Sequence, residues 1–225
     1  MASTDITSEK TKLHTAYKAL DGKRVPSVTT IIDGQLGWNK RVLMAWQKRM
    51  AEAGEDPDKI RDKSADIGTL AHYMIECYLL EETPELGDYS SNDIAMAKNA
   101  YDAFLLWWKD AGLVFAASEM GLVSEKHRFG GTIDLLAKNK EGETVLIDFK
   151  TSNGVYAEHY IQVSAYVKMY EEMIKDPIVD TYVLQLSKDS DSFHYHRISK
   201  TLLSNGWKAF NLLLKLKPLQ AKLRE

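Results

Sequence analysis

FGGTIDLLAKNKEGETVLIDFK, residues 129–150, decides the fold, and it runs on as TSNGVYAEHYIQVSAY to Tyr166. Two runs rich in β-branched and aliphatic residues, Gly131–Ala137 and Thr144–Lys150, flank the polar, glycine-bearing segment Lys138–Glu143. That pattern predicts an antiparallel hairpin. A three-residue loop, Lys140–Gly142, centres the register on Glu141 and brings Asp134 opposite Asp148. Alternation then puts Thr132, Asp134, Asp148 and Lys150 on one face, with Ile133, Leu135, Val145, Ile147 and Phe149 on the other. The apolar face is the expected core side.

Two carboxylates facing each other across a ladder repel unless positive charge stands between them. A divalent cation with oxygen ligands would stabilise both, and Lys150, two residues from Asp148 on the same face, would add a compact ammonium beside it. A plain Asp–Lys salt bridge on a solvent-facing strand is the alternative. Upstream, Gly68-Thr69-Leu70-Ala71-His72 falls on a predicted helix, with Glu76 four residues on and projecting from the same face as His72. His72 is either a packing residue of that helix or a ligand for Mn²⁺ or Mg²⁺. Earlier still, VPSVTTII, residues 25–32, reads as a capped turn into a helix, with Ser27 or Thr29 as the capping hydroxyl.

The order strand, Asp134, hairpin, Asp148-x-Lys150, then a helix carrying Gln162 and Tyr166, resembles a known family. GGTIDLL, LIDFKTS and QVSAY look like successive motifs of the PD-(D/E)xK nuclease superfamily, in its RecB-like and Cas4-like exonuclease branch. Asp148 stands where many members have a glutamate, and Ile133 replaces the proline of the P-D element. GTLAHYMIECYL is similar to the branch's histidine-bearing helix, and PSVTTII to the segment with which many phage-type members begin.

The resemblance implies a restriction-endonuclease-like α/β core, a small mixed β-sheet flanked by helices, with an N-terminal helical lobe. It implies His72, Asp134, Asp148 and the backbone carbonyl of Phe149 as ligands of one or two Mg²⁺ or Mn²⁺ ions. Lys150 is implied as the group that orients water or meets developing negative charge. Glu119, on the strand before the hairpin, is implied as an extra ligand or an organiser of metal water, the alternative being an exposed strand glutamate. Gln162, Tyr166, Ser27 and Thr151 are implied as substrate-side groups.

Composition sets the bounds. At 225 residues the chain is expected to form one domain, 1–225, with a helical lobe over about 1–112 carrying His72 and core sheet and flanking helices over about 113–225. Its net charge of −3 is not the basic balance of a protein that grips duplex over a wide surface. The single cysteine, Cys77, excludes an internal disulfide and the four-cysteine iron–sulfur cluster of many relatives. MASTDITSEKTKLH shows no signal peptide and no apolar run is long enough to span a bilayer, so no membrane partner and cytoplasmic residence are the default expectations.

Along the rest of the chain, Leu13–Leu20 is a short lead-in and Asp21-Gly22-Lys23 a turn. Helices are predicted at Trp38–Ala53, Asp58–Glu82, from the cap Ser91-Asn92-Asp93 to Asp110, at Tyr160–Ile174 and at Lys200–Lys217. Strands are predicted at Val114–Val123, Thr181–Leu186 and Phe193–Ile198. The first helix carries Lys40, Arg41, Lys48 and Arg49 and is either a backbone-contacting surface or a solvated amphipathic helix. Trp107 and Trp108 are packing residues before they are base-stacking ones. Lys126, His127 and Arg128 form a basic tip that touches phosphate or is a solvated turn. Glu158 and His159 are solvated residues at a helix start.

The expected function is metal-dependent DNA exonuclease activity of phage or bacterial repair or recombination type, acting at the ends of single- or double-stranded DNA. A recombination or single-strand-binding protein is a candidate partner. A structure-specific or restriction-like endonuclease on the same core, and a catalytically silent DNA-binding module, are the alternatives. No GxGxxG, GxxxxGK[ST], CxxC or HExxH is present to support other chemistries.

Overall fold

The computed structural model describes residues 15–223; residues 1–14, which include the start of the predicted lead-in, lie outside the described residues. The hairpin forms in the predicted register. β2 (Phe129–Lys138) and β3 (Thr144–Lys150) pair as Leu135↔Ile147, Leu136↔Leu146, Ala137↔Val145 and Lys138↔Thr144. Asn139 closes the loop through hydrogen bonds to both Glu143 and Gly142, and Gly142 takes φ +78°, a conformation that suits glycine. The last pair of this ladder, Leu135↔Ile147, lies next to Asp134 and Asp148.

Around the hairpin the sheet runs β1-β2-β3-β4-β5, with β1 (Val114–Ser124), β4 (Ile178–Leu186) and β5 (Phe193–Arg197). β3 and β4 are parallel and the other three pairs are antiparallel. A parallel pair needs a crossover, and α5 (Ala157–Ile174) supplies it. The remaining helices are α1 (Val28–Gln35), α2 (Lys40–Glu52), α3 (Pro57–Leu79), α4 (Ser91–Ala111) and α6 (Lys200–Lys222). The architecture is a five-stranded mixed sheet flanked by helices, as expected for the α/β class.

Helix starts follow local chemistry. Ser27, not Thr29, caps α1, its Oγ accepting from the Thr30 N–H at 3.0 Å. Asp56 caps α3 and Pro57 occupies its first position, where a missing N–H costs nothing. Ser90, one residue before the expected cap, starts α4 and accepts from the Asp93 N–H.

The expectation of one core face needs correction. Leu135, Ala137, Val145, Ile147 and Phe149 do pack under α3 and α4, against Leu70, Ile75 and Phe104. Leu136 and Leu146, which share the face of Asp134 and Asp148, are buried too, among Ile161, Ala165, Met169 and Phe210 of α5 and α6. The cause is the α5 crossover, which lies across that face and buries β3 on both sides. Ile133 also departs from expectation. Beyond the last β2–β3 pair it packs with Val28 and Ile31 of α1 rather than beside Leu135. Trp107 is buried against Phe104, in line with the packing reading.

Candidate metal centre

The aspartates therefore sit at the end of an otherwise apolar face, where burial makes their charge costly and their orientation fixed. Asp134 Oδ2 accepts the Phe149 N–H at 2.7 Å. The side chain thus takes a backbone donor just beyond the last pair of the β2–β3 ladder, and the carboxylate is held with Oδ1 towards α3. There His72 Nδ1 lies 3.9 Å from Oδ1. The ring of His72 also stands edge-on to Phe149, with centroids 5.5 Å apart.

Gly68 explains how α3 comes so close. A Cβ at this position would lie 2.7 Å from Thr151 Oγ1, so only glycine lets the helix settle against the chain leaving β3. His72, one turn on, is thereby set over the end of the strand. The substrate-side candidate Thr151 is thus also the residue on which α3 rests.

Glu119 enters from β1 by a different device. β1 pairs Ser118↔Leu135 and Met120↔Ile133, the pairs that flank Glu119 and Asp134. Glu119 has φ +49°, a left-handed backbone in mid-strand that costs a non-glycine residue about 1–3 kcal/mol. Its carboxylate is brought to the other two groups: His72, Glu119 and Asp134 each offer one ligand atom, all within 4.8 Å of one another, and all three are half-buried. This group could hold a metal ion. Glu76, one turn beyond His72, is half-buried and does not belong to it.

Asp148 and Lys150 form the other half of the site. Asp148 is only 1% exposed and its Oδ1 has no hydrogen-bond partner among the described residues. Lys150 Nζ lies 2.6 Å from Oδ2, as an ion pair rather than an aligned hydrogen bond, and also donates to the Phe149 carbonyl at 3.2 Å. Burial pushes the Asp148 carboxyl above the usual range; the Lys150 charge opposes this and Asp134 adds to it. Burial works against the Lys150 ammonium, but Asp148 and Asp134 outweigh it, and Lys150 stays charged. The Phe149 carbonyl, implied as a ligand by the resemblance, here accepts from Lys150.

Gln162 and Tyr166 meet as their spacing predicts: Gln162 Nε2 donates to the Tyr166 hydroxyl at 2.9 Å. Tyr166 is buried, and burial followed by the Asp148 charge holds its phenol well above its ordinary pKa. A Cβ on Gly131 would lie 2.5 Å from the Tyr166 ring, so the second glycine of FGGT gives this tyrosine its place against β2. Ser27 carries out the capping role, and its hydroxyl also meets those of Thr29 and Thr30.

Two expectations at the rim change. Glu158 and His159 are half-buried rather than solvated. Glu158 accepts from Asn39 Nδ2, and His159 Nδ1 accepts from the Tyr156 N–H. Burial, then the Lys150 charge, lowers His159 to about 4. At the basic tip, Arg128 is paired with Asp21 and Glu125, and His127 packs edge-on to Trp207, so neither is a loose solvated residue. Tyr17, which the sequence did not single out, bonds Thr132 at 2.7 Å and would meet a Cβ on Gly130 at 2.4 Å. The paired glycines 130 and 131 were its one visible signal.

Two cavities, of about 330 and 490 Å³, lie away from this group, the first between α3 and α4 and the second where Trp107 faces Tyr182 and Tyr195. No helix among the described residues is long and apolar enough to cross a membrane.

No protein-family model matches the chain, and no curated protein matches it. Among solved structures, a protein from Eubacterium rectale named for a conjectured exonuclease activity overlaps with a TM-score of 0.47 at 8% identity, over 69% of this chain and 68% of that one. LHK-Exo in complex with dAMP overlaps with a TM-score of 0.34 at 17% identity, over 72% of this chain and 92% of that one. Overlaps this slight assign neither a family nor an activity.

Proposed function

We propose that the chain is a metal-dependent DNA exonuclease, a phosphodiester hydrolase working with Mg²⁺ or Mn²⁺, with residues 1–225 acting as one nuclease domain. The observation that carries the reading is the convergence of His72, Glu119 and Asp134 beside a buried Asp148–Lys150 pair. All five are residues that the sequence resemblance implies for the site, which supports the reading.

The donor set fits a hard divalent cation. It offers carboxylate oxygens and one imidazole, and the buried Asp148 Oδ1 without a hydrogen bond is an acceptor for which a cation is the natural partner. His72, Glu119, Asp134, Asp148 and the Phe149 carbonyl would hold one or two such ions. When bound, the ion neutralises phosphate charge and makes water more acidic.

The chain's own groups do the rest. A phosphodiester is cleaved when a water oxygen forms a bond to phosphorus, the bond to one sugar oxygen breaks, and the departing oxygen gains a proton. Lys150, held charged by its two aspartates, presents a fixed ammonium to the negative charge that grows on the phosphoryl oxygens. Asp134 is locked by the Phe149 N–H, which keeps the donor geometry from drifting as charge develops. Gln162, Tyr166, Ser27 and Thr151 are the groups that would position the strand.

Digestion of end-labelled linear and covalently closed DNA, in Mg²⁺, Mn²⁺ or EDTA, tests this. Metal-dependent loss of the linear substrate alone, removed by Asp148→Ala and by Lys150→Ala, is expected. Cleavage of the closed circle would replace the exonuclease with an endonuclease, and absence of metal-dependent cleavage would overturn the reading.

A further inference from the structure

α2 has an amphipathic sequence, yet none of its residues is buried. Trp38, just ahead of it, and Val42, Leu43 and Met44 in its first turns are 62%, 66%, 55% and 67% exposed. Lys40 and Arg41 stand among them, and Lys48 and Arg49 follow one to two turns on, against a single acid, Glu52. A net negative chain thus carries one strongly basic helix studded with large apolar side chains.

A row of side chains along α5 leads from this helix towards the site. Glu158, Gln162 and Tyr166 share a face of α5 at intervals of four. Tyr166 packs on Gly131 in the strand that bears Asp134, Gln162 bonds Tyr166, and Glu158 accepts from Asn39, the residue before α2. The exposed Trp38–Met44 segment therefore stands at the outer end of the row whose inner end is the metal group.

We propose that this segment receives the unpaired end of the nucleic-acid substrate, base faces against Trp38, Val42, Leu43 and Met44 and phosphates against Lys40 and Arg41, so that the chain selects a single strand over duplex. The proposal rests on the nuclease reading and names its substrate class. Duplex turns its phosphates outwards and hides its base faces, which would leave four apolar side chains without a partner. A single strand offers both surfaces at once, and stacking on such side chains is tolerant of sequence. A second copy of the chain fits less well, because a two-fold contact sets the patch against itself and its four cations against one another.

Fluorescence anisotropy of a labelled 12-nucleotide oligomer, single-stranded or as blunt duplex, in EDTA, tests binding without cleavage. Wild type should prefer the single strand. Trp38→Ala with Leu43→Ser should weaken single-strand binding by about tenfold or more, while Leu212→Ser, on an exposed leucine of α6, leaves it unchanged. All three proteins should keep the same thermal midpoint, since the replaced side chains are exposed. Equal binding of the α2 variant, equal affinity for duplex, a variant-sensitive dimer in sedimentation, or binding to anionic phosphatidylglycerol vesicles in place of the oligomer would each overturn the proposal. Cleavage is scored separately in Mg²⁺: single-strand binding without cleavage would remove the nuclease reading and leave this inference standing, and cleavage with α2-independent binding would do the reverse.

Discussion

The β2–β3–β4 unit carries an Asp–Lys pair at each end, and the two are built in opposite ways. At one end Lys138 meets Thr144 at 2.6 Å and Asp176 at 3.4 Å, Thr144 donates to Asp176 at 2.5 Å, and Tyr170 donates to it at 3.4 Å. Every group has a neighbour, water reaches both ions, and the Thr144 hydrogen bond leads in holding the Asp176 carboxyl below the usual range. At the other end Asp148 is sealed from water, neither of its oxygens has a hydrogen bond among the described residues, and its carboxyl is raised. The first arrangement is what a strand end needs for stability. The second is a costly one that stability alone does not call for, and it stands beside His72, Glu119 and Asp134.

The largest expected difference between the two ends is in activity. Asp148→Ala or Lys150→Ala should lower the initial rate of cleavage of labelled DNA by about a hundredfold to a thousandfold. Asp176→Asn should leave it within the error of wild type. Equal losses at both ends would erase the functional distinction.

Stability follows next. Lys150→Ala leaves Asp148 buried without its cation, which costs about 3–5 kcal/mol. Replacing both, as Asp148→Leu with Lys150→Met, should restore or exceed wild-type stability in urea while cleavage stays absent. Lys138→Ala, at the wet end, should shift the urea midpoint little. If the double replacement is as unstable as the single one, the buried pair is a structural asset after all.

A smaller contrast is read in pH. Asp148 is pushed up to about 6 from an ordinary 3.8, so between these values the folded chain holds a proton that the unfolded chain has lost. Metal-free protein should therefore gain stability from this group as pH falls from above 6 towards 4, and Asp148→Asn should remove that gain. Asp176 has the reverse sign: its lowered pKa contributes stability above the ordinary carboxylate range that is lost on further acidification. His159, lowered to about 4, opposes Asp148, since the unfolded chain takes its proton first below pH 6.5. His159→Gln should make the gain from Asp148 larger. Urea midpoints at several pH values in EDTA distinguish the three.

The smallest effect concerns how the dry end is closed. Gly68→Ala sets a Cβ 2.7 Å from Thr151 Oγ1 and should lower the thermal midpoint by a few degrees, despite alanine's better helix propensity of about 1 kcal/mol. In a Thr151→Ala background the same change should raise the midpoint.

Much of this was legible in the sequence because strand alternation and loop length are local properties. Asp134 and Asp148 could be set opposite each other from Glu141 alone, and the observed pairs keep that register. The burial of Leu136 and Leu146 on the aspartate face is not legible there, because a crossover helix is a long-range event and nothing within residues 129–150 reports that α5 returns over it. Glu119 was visible only as a candidate on a strand, and its left-handed backbone has no sequence signature. The link from Asn39 to Glu158 spans 119 residues of chain and was equally out of reach.

Mn²⁺ titration followed by calorimetry, on wild type, Asp134→Asn and Asp176→Asn, puts the difference between the two ends to the most direct test. Binding by wild type and Asp176→Asn, lost in Asp134→Asn, is the predicted result. Binding that persists unchanged in Asp134→Asn would contradict a cation site at His72, Glu119 and Asp134.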